Sequence, residues 1–186
     1  MTESLGGIRI KEVNERALFA TDSLVSVGHD SVDLLKQRAE ANRLNSIRLC
    51  THQDAEDALH EMFIVNTQDT YVRPHKQLKE TKSFHVIEGL MDMVVFDEDG
   101  NIVQAVSMGD HSTGKPFYFR LSDIDYYHTL LFRSDVVLFL ETTNGPARSS
   151  DVVFPPWAPA GIDDAARRAY LEQLEKDIRN FMPGVG

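Results

Sequence analysis

The sequence predicts a mainly β protein, an antiparallel barrel or sandwich with one helix ahead of it and one behind. Three observations carry this. Between Ser46 and Thr143 the chain divides into short β-prone runs separated by turn signals, with no helical stretch among them. On either side of that region apolar residues recur at helical spacing. The length of 186 residues suits one domain with trimmings, and no internal repeat or low-complexity linker divides it.

The elements follow in order. Gly7–Val13 and Ala17–Thr21 are β-prone. A helix comes next, capped by Asp30 or Ser31, whose short side-chain oxygens accept from first-turn amides. It carries Leu34, Leu35, Arg38 and Ala39 and ends near Asn42. Nine strands are then expected: Ile47–His52, His60–Asn66, Thr70–His75, Ser83–Glu88, Leu90–Phe96, Ile102–Ser107, Phe117–Leu121, Tyr126–Phe132 and Val136–Thr142. Asp99-Gly100 between two apolar runs marks a hairpin, because glycine takes positive φ without penalty. Beyond Pro155-Pro156-Trp157-Ala158-Pro159 the helical period returns. Asp163 caps this last helix, Glu172 and Lys176 pair on its wet side, and Pro183-Gly184 stops it. Tyr170, Leu171, Leu174, Ile178 and Phe181 form its apolar stripe, which must cover either the barrel or a second copy in a homodimer. The organisation is therefore a lead-in over 1–45, a barrel over 46–146 and a Pro-rich segment with a helix over 147–186.

Composition narrows the function classes. The net charge of −10, with no basic block, argues against nucleic-acid or anionic-membrane partners, which need clustered lysine and arginine. No apolar run is long enough to span a bilayer. The start, Met1-Thr2-Glu3-Ser4, lacks the basic and apolar regions of a secretory leader, and a lone Cys50 suits a reducing compartment. A cytoplasmic protein with a small-molecule ligand is the expectation.

Of seven histidines, His75 has the most telling surroundings. Residues two apart in a strand share a face, so His75 and Gln77 point the same way. Inside a barrel, such polar groups need partners, since burying one unpaired costs about 1–3 kcal/mol. A metal ion, a ligand or ordered water would supply them. His85 has the parity of Ile87 and is expected to face away, while His29, His60 and His111 read as loop or surface residues.

Here the sequence resembles the cupins. Their first motif runs His-x-His, a glutamate, then a glycine; their second adds a histidine from a later strand. His75 fits the first histidine, Gln77 stands at the second, Lys82 at the glutamate and Gly89 at the glycine. His128 in Tyr126-Tyr127-His128-Thr129 fits the later histidine, while Asp123 and Asp125 stand where a proline and glycine usually precede it. The likeness extends through Arg48-x-Cys50-x-His52, Asp69-Thr70-Tyr71-Val72-Arg73-Pro74-His75, Ser83-Phe84-His85-Val86-Ile87-Glu88-Gly89, Val95-Phe96-Asp97 with Gly100, Glu141 with Gly145-Pro146, and Phe154-x-x-Trp157-Ala158-Pro159 with Tyr170-Leu171. In this it is similar to the WbuC-type cupin-fold metalloprotein family over roughly residues 45–175.

That resemblance implies a cupin-type β-barrel (a double-stranded β-helix) with a divalent metal, Zn, Fe, Mn or Ni, in its mouth, and a metal-dependent enzyme of sugar or surface-polysaccharide metabolism. The residues it assigns to the metal are His75, Gln77, His128 and, through a loop shift, Glu80. The departures matter. An amide oxygen is a weaker transition-metal ligand than imidazole, and a lysine at position 82 would repel a dication. Three readings stay open: a weakened metal site; a metal-free pocket that holds a small anionic or sugar ligand through Lys82, His75, Arg48 and Arg73; or an empty relic with Lys82 in a solvated turn. Should a reaction occur, His128 can act as acid or base, and a desolvated Lys82 can serve as base or imine former. His52, Tyr71 and Tyr126 are candidate ligand contacts, and Cys50 reads as a small buried hydrophobe.

Overall fold

The computed structural model describes residues 3–122 and 125–182. Strands β1 (Glu3–Leu5), β2 (Ile8–Asn14) and β3 (Ala17–Ala20) open the chain, followed by helix α1 (His29–Ala41). Then come β4 (Ser46–Cys50), β5 (Leu59–Thr67), β6 (Lys76–Gln77), β7 (Lys82–Glu88), β8 (Leu90–Phe96), β9 (Ile102–Gly109), β10 (Tyr118–Leu121), β11 (Tyr127–Phe132), β12 (Val136–Asn144) and β13 (Val152–Val153). Helix α2 (Asp164–Phe181) closes the described chain. An eight-stranded sheet in the order β1-β2-β3-β4-β5-β12-β7-β10 faces a three-stranded sheet, β11-β8-β9, and β13 pairs with β6. This is the expected mainly β architecture, with antiparallel sheets and one helix on either side of the barrel strands.

Among the described residues the ladders are antiparallel except β3 with β4, which run parallel. Parallel neighbours need a crossover, and α1 provides it. Leu35 and Ala39 of α1 cover Leu18, Ile47, Leu49, Val65 and Leu138 on the outer face of the large sheet. The lead-in is thus hydrogen-bonded into the same sheet as the barrel. Between the two sheets lies a second core, with Phe84, Met91, Met93, Val95, Met108, Leu130, Phe132 and Phe139. A third forms where Leu174 and Ile178 of α2 pack on Val94, Phe96, Tyr127 and Leu131. Strands β8 and β11 are covered on both faces, which explains why they read as continuous apolar runs rather than alternating ones.

Several expectations need correcting. Asp30 and Ser31 lie inside the first turn of α1, whose N-cap is Gly28; the Ser31 hydroxyl donates instead to the Leu5 carbonyl at 3.4 Å. Thr70–His75 is not a strand: Pro74 offers no amide, and only His75 joins a bridge. The α2 stripe is spent on the barrel, so Tyr170, Leu171, Leu174 and Ile178 are not a free surface, while Phe181 stays exposed. Glu172 and Lys176 do not pair; the described ion pairs of α2 join Arg167 to Asp164 and Glu175 to Arg133 and Arg179. Pro183-Gly184 and Asp123 lie outside the described residues. Asp163 does cap α2, its carboxylate accepting from the Ala165 and Ala166 amides. The Asp99-Gly100 turn forms with Gly100 at φ +88°. Gly89, at φ +90°, links β7 to β8 where a Cβ would meet the Val136 carbonyl oxygen at 2.8 Å. No described helix is long and apolar enough to cross a membrane.

Candidate functional site

The alternation of β4, β5, β12 and β7 decides what faces the barrel interior. Ile47 and Leu49 point out under α1, so Ser46, Arg48 and Cys50 point in. The inward residues of neighbouring strands then align in rungs. Arg48 pairs with Ile64 and Ile64 with Phe139. Cys50 pairs with Met62, Met62 with Glu141 and Glu141 with Phe84. His60 pairs with Thr143, and Thr143 with Lys82. These rungs line a cavity of about 740 Å³, closed on the other side by Arg73, His75, Gln77, His128 and Leu130 and rimmed by Phe154.

His75 and His128, distant in sequence, form a two-residue antiparallel bridge: each backbone N–H donates to the other's carbonyl, at 3.1 and 2.9 Å. Their rings lie 4.4 Å apart. The His75 Nδ1 sits 2.9 Å from the Arg73 carbonyl, which only accepts, so the proton is on Nδ1 and the lone pair on Nε2. His128 Nδ1 is buried with no partner. Burial first, then the Lys82 ammonium, lowers the His75 pKa; burial and then His75 and Lys82 push that of His128 well below the usual imidazole range. Both rings are neutral in ordinary conditions.

Lys82 is not a solvated turn residue. Its side chain is 4% exposed and its Nζ lies 2.9 Å from Glu141 Oε1. Burial alone would raise the Glu141 carboxyl; Lys82, with smaller help from His75 and Arg48, holds it below its normal value. The sequence reading gave Glu141 no part in the site. Glu80 is 5% exposed, and neither carboxylate oxygen has a partner. Burial raises its pKa against the pull of Lys82. Gln77 Oε1 is likewise buried and unpartnered.

The other expected contacts divide. Arg48 lines the cavity, as does Arg16, which the sequence reading missed; Arg16 reaches Ser46 Oγ at 3.1 Å. Tyr71 and Arg73 line it too, but their polar tips are engaged. The Tyr71 hydroxyl donates to the Pro159 carbonyl at 3.0 Å, and its pKa is pushed up to about 12 by burial. Arg73 donates to the Ala158 and Pro155 carbonyls and lies over the Phe154 ring. Together they clamp the Pro-rich segment. His52 faces the cavity and stacks on His60, with ring centroids 4.1 Å apart. His60 therefore corrects the surface reading: it is 4% exposed, because it opens β5 on the inward parity, and its Nε2 is unpartnered. Tyr126 corrects in the other direction. The strand begins at Tyr127, so Tyr126 stays in the preceding turn, 36% exposed and off the cavity wall. Cys50 is buried, its pKa pushed up to about 11 by burial, which makes it a poor nucleophile. His85 faces outward, and His29 and His111 are exposed.

The donor set does not suit a divalent ion. Among the described residues no three or more His, Cys, Asp or Glu side chains gather closely enough to hold one. The ammonium of Lys82 bears on both histidines of the motif and already occupies the Glu141 carboxylate. A dication between those rings would meet like charge in a dry space.

A family model described as a domain of unknown function (DUF6016) matches residues 27–108, less than half of the chain. No curated protein matches the sequence. Among solved structures, the chain is similar to protein SO0799 from Shewanella oneidensis (8% identity, TM-score 0.46, covering 56% of this chain and 66% of that one). It is similar to an oxalate decarboxylase from Lactobacillus farciminis, solved as a formate complex (12%, 0.42, 53% and 27%). It is also similar to the Cnp3 cupin domain from Schizosaccharomyces pombe (14%, 0.41, 53% and 64%). The matches span less than two thirds of each of these three chains, and nothing about ligand or chemistry transfers at such identities.

Proposed function

We propose that this protein is a metal-free cupin-type barrel that binds a small anion in its cavity without turning it over. What supports the reading is the charge of the cavity. In a chain of net charge −10, the lining carries four basic side chains, Arg16, Arg48, Arg73 and Lys82, against two carboxylates, Glu80 and Glu141. Lys82 is neutralised by Glu141, and Arg73 is held by backbone carbonyls. Arg16 and Arg48 have no carboxylate within ion-pairing distance among the described residues. Two guanidiniums on one wall of a concave site favour an anionic group that both can reach, because charge-assisted hydrogen bonds are the strong ones. The pair formed by Lys82 and Glu141 takes over the electrostatic place of a metal and its carboxylate, and leaves both histidines neutral, with the Nδ1 of His128 unpartnered.

Calorimetric titration of EDTA-dialysed protein tests this. Gluconate should bind at least about tenfold more tightly than sorbitol, its uncharged counterpart, and Arg48→Gln should remove that difference, since one bidentate charge contact is worth about 1.5–3 kcal/mol. Arg48 is exposed on its strand, so the variant should keep its fold. Equal affinity for the two probes, or gluconate binding that requires added metal, would overturn the reading.

A further inference from the structure

The rungs of the large sheet act as a ruler along the cavity. Arg48 pairs with Ile64, while His60 and Lys82 share the rung of Thr143. From Ile64 to His60 is four residues, or about 13 Å at a strand rise near 3.3 Å per residue. Arg16 and Arg48 stand at one end of that span. At the other are His60, Lys82 and, two residues before Lys82 and on the same parity, Glu80.

That second end has a distinct chemical character. Both Glu80 oxygens and the His60 Nε2 are buried and unpartnered, as is the Oε1 of Gln77, a cavity-lining residue three positions before Glu80 in the chain. The carboxylate and amide oxygens only accept hydrogen bonds in their ordinary forms. Glu80 is close enough to Lys82 and His60 to feel their charge, yet the ammonium of Lys82 is bonded to Glu141 instead. Such a cluster, left unmet, costs free energy, and it is met by a ligand that brings donors. A donor without charge suits this end: an ammonium on the ligand would enter a cavity whose lining already carries four cationic side chains against two carboxylates. Neutral hydroxyls meet no such repulsion. A carboxylate with both oxygens open accepts from two adjacent hydroxyls at once, and the Gln77 oxygen offers a third acceptor.

We infer that the ligand is a polyhydroxylated acid, held by its anionic group at Arg16 and Arg48 and by adjacent hydroxyls at Glu80 and Gln77. This rests on the anion reading of the cavity and adds the identity of the ligand's other end. A carboxylate and a phosphate are equivalent at the arginine end, so gluconate and glucose 6-phosphate are the paired probes that separate a sugar acid from a sugar phosphate.

Titration calorimetry on EDTA-treated protein decides it, with those two compounds, hexanoate and 6-aminohexanoate. One or both hydroxylated acids should bind at least about tenfold more tightly than hexanoate, which keeps the acid and lacks the hydroxyls. Glu80→Gln should erase most of that preference while leaving hexanoate within about twofold of wild type. Hexanoate binding as tightly as gluconate and glucose 6-phosphate would overturn the inference and leave the anion reading standing. So would a Glu80→Gln variant that weakens every acid equally, which would mark a structural role. Tighter binding of 6-aminohexanoate would assign the inner end to an ammonium and likewise overturn it. Failure of all four acids to bind would remove the anion reading and this inference with it. Should Glu80→Gln not fold by circular dichroism, Gln77→Leu replaces it; an unchanged preference for hydroxylated acids in that variant would also count against the assignment.

Discussion

At the scale of single residues, His128 is the most constrained group in the cavity. It is buried, neutral and lacks a partner at Nδ1, with its pKa well below the ordinary value of 6.5. An unfolded chain binds a proton at this position near that ordinary value, and the native state does not. The unfolded state therefore holds more protons between the two values, so the stability contributed by His128 is complete above about pH 6.5 and is lost as pH falls through that window. Denaturant unfolding between pH 7.5 and pH 5 should show stability falling with acid, and His128→Gln should flatten the slope by up to about one proton. An unaltered slope would mean that His128 is not a desolvated imidazole. The meeting of His75 and His128 was legible in the sequence only through motif spacing, since no local signal ties two residues this far apart. His60 was not legible: a histidine at the first inward position of a strand looks like a loop residue until the register fixes its side. Arg16, in the turn before β3, gave no signal at all.

At the scale of elements, the ion pair across β7 and β12 joins neighbouring rungs of the sheet: Lys82 is registered with Thr143, and Glu141 with Phe84. With side chains only 4% and 15% exposed, neither charge can recover its lost hydration if the other is removed. Lys82→Met should therefore destabilise the protein by about 3–5 kcal/mol, whereas the double variant Lys82→Met/Glu141→Leu should recover most of that loss, because an apolar pair of similar volume is often neutral or better. Chemical denaturation of both variants measures it; a double variant as unstable as the single one would show that packing, not uncompensated charge, sets the cost. Local signals did read well at this scale. The Asp99-Gly100 turn, the Asp163 cap and the span of β8 depend on nearest neighbours, and each is found as expected. The Thr70–His75 segment failed because its β-prone residues surround a proline and its side chains bind the Pro-rich segment instead. The pairing of Lys82 with Glu141 spans 59 positions and could not be found from spacing.

At the scale of the whole molecule, the acidic chain encloses a cavity richer in cations than in anions, with α1 and α2 each covering an outer sheet face. The fold class was readable because short β-prone runs and the turn signals between them are local properties of the sequence. The charge state of the cavity was not, because it depends on which long side chains meet inside. The account stands on Lys82 and Glu141 doing electrostatically what a metal and its carboxylate ligand do in a metal-bearing barrel. Elemental analysis tests that most directly, using untagged protein incubated with equimolar Zn, Mn, Fe and Ni and then desalted. Wild type should retain less than about a tenth of an equivalent, and Lys82→Glu, which replaces the repelling cation by a carboxylate beside His75 and His128, should retain substantially more. A full equivalent on the wild type, lost in His75→Ala, would contradict the account.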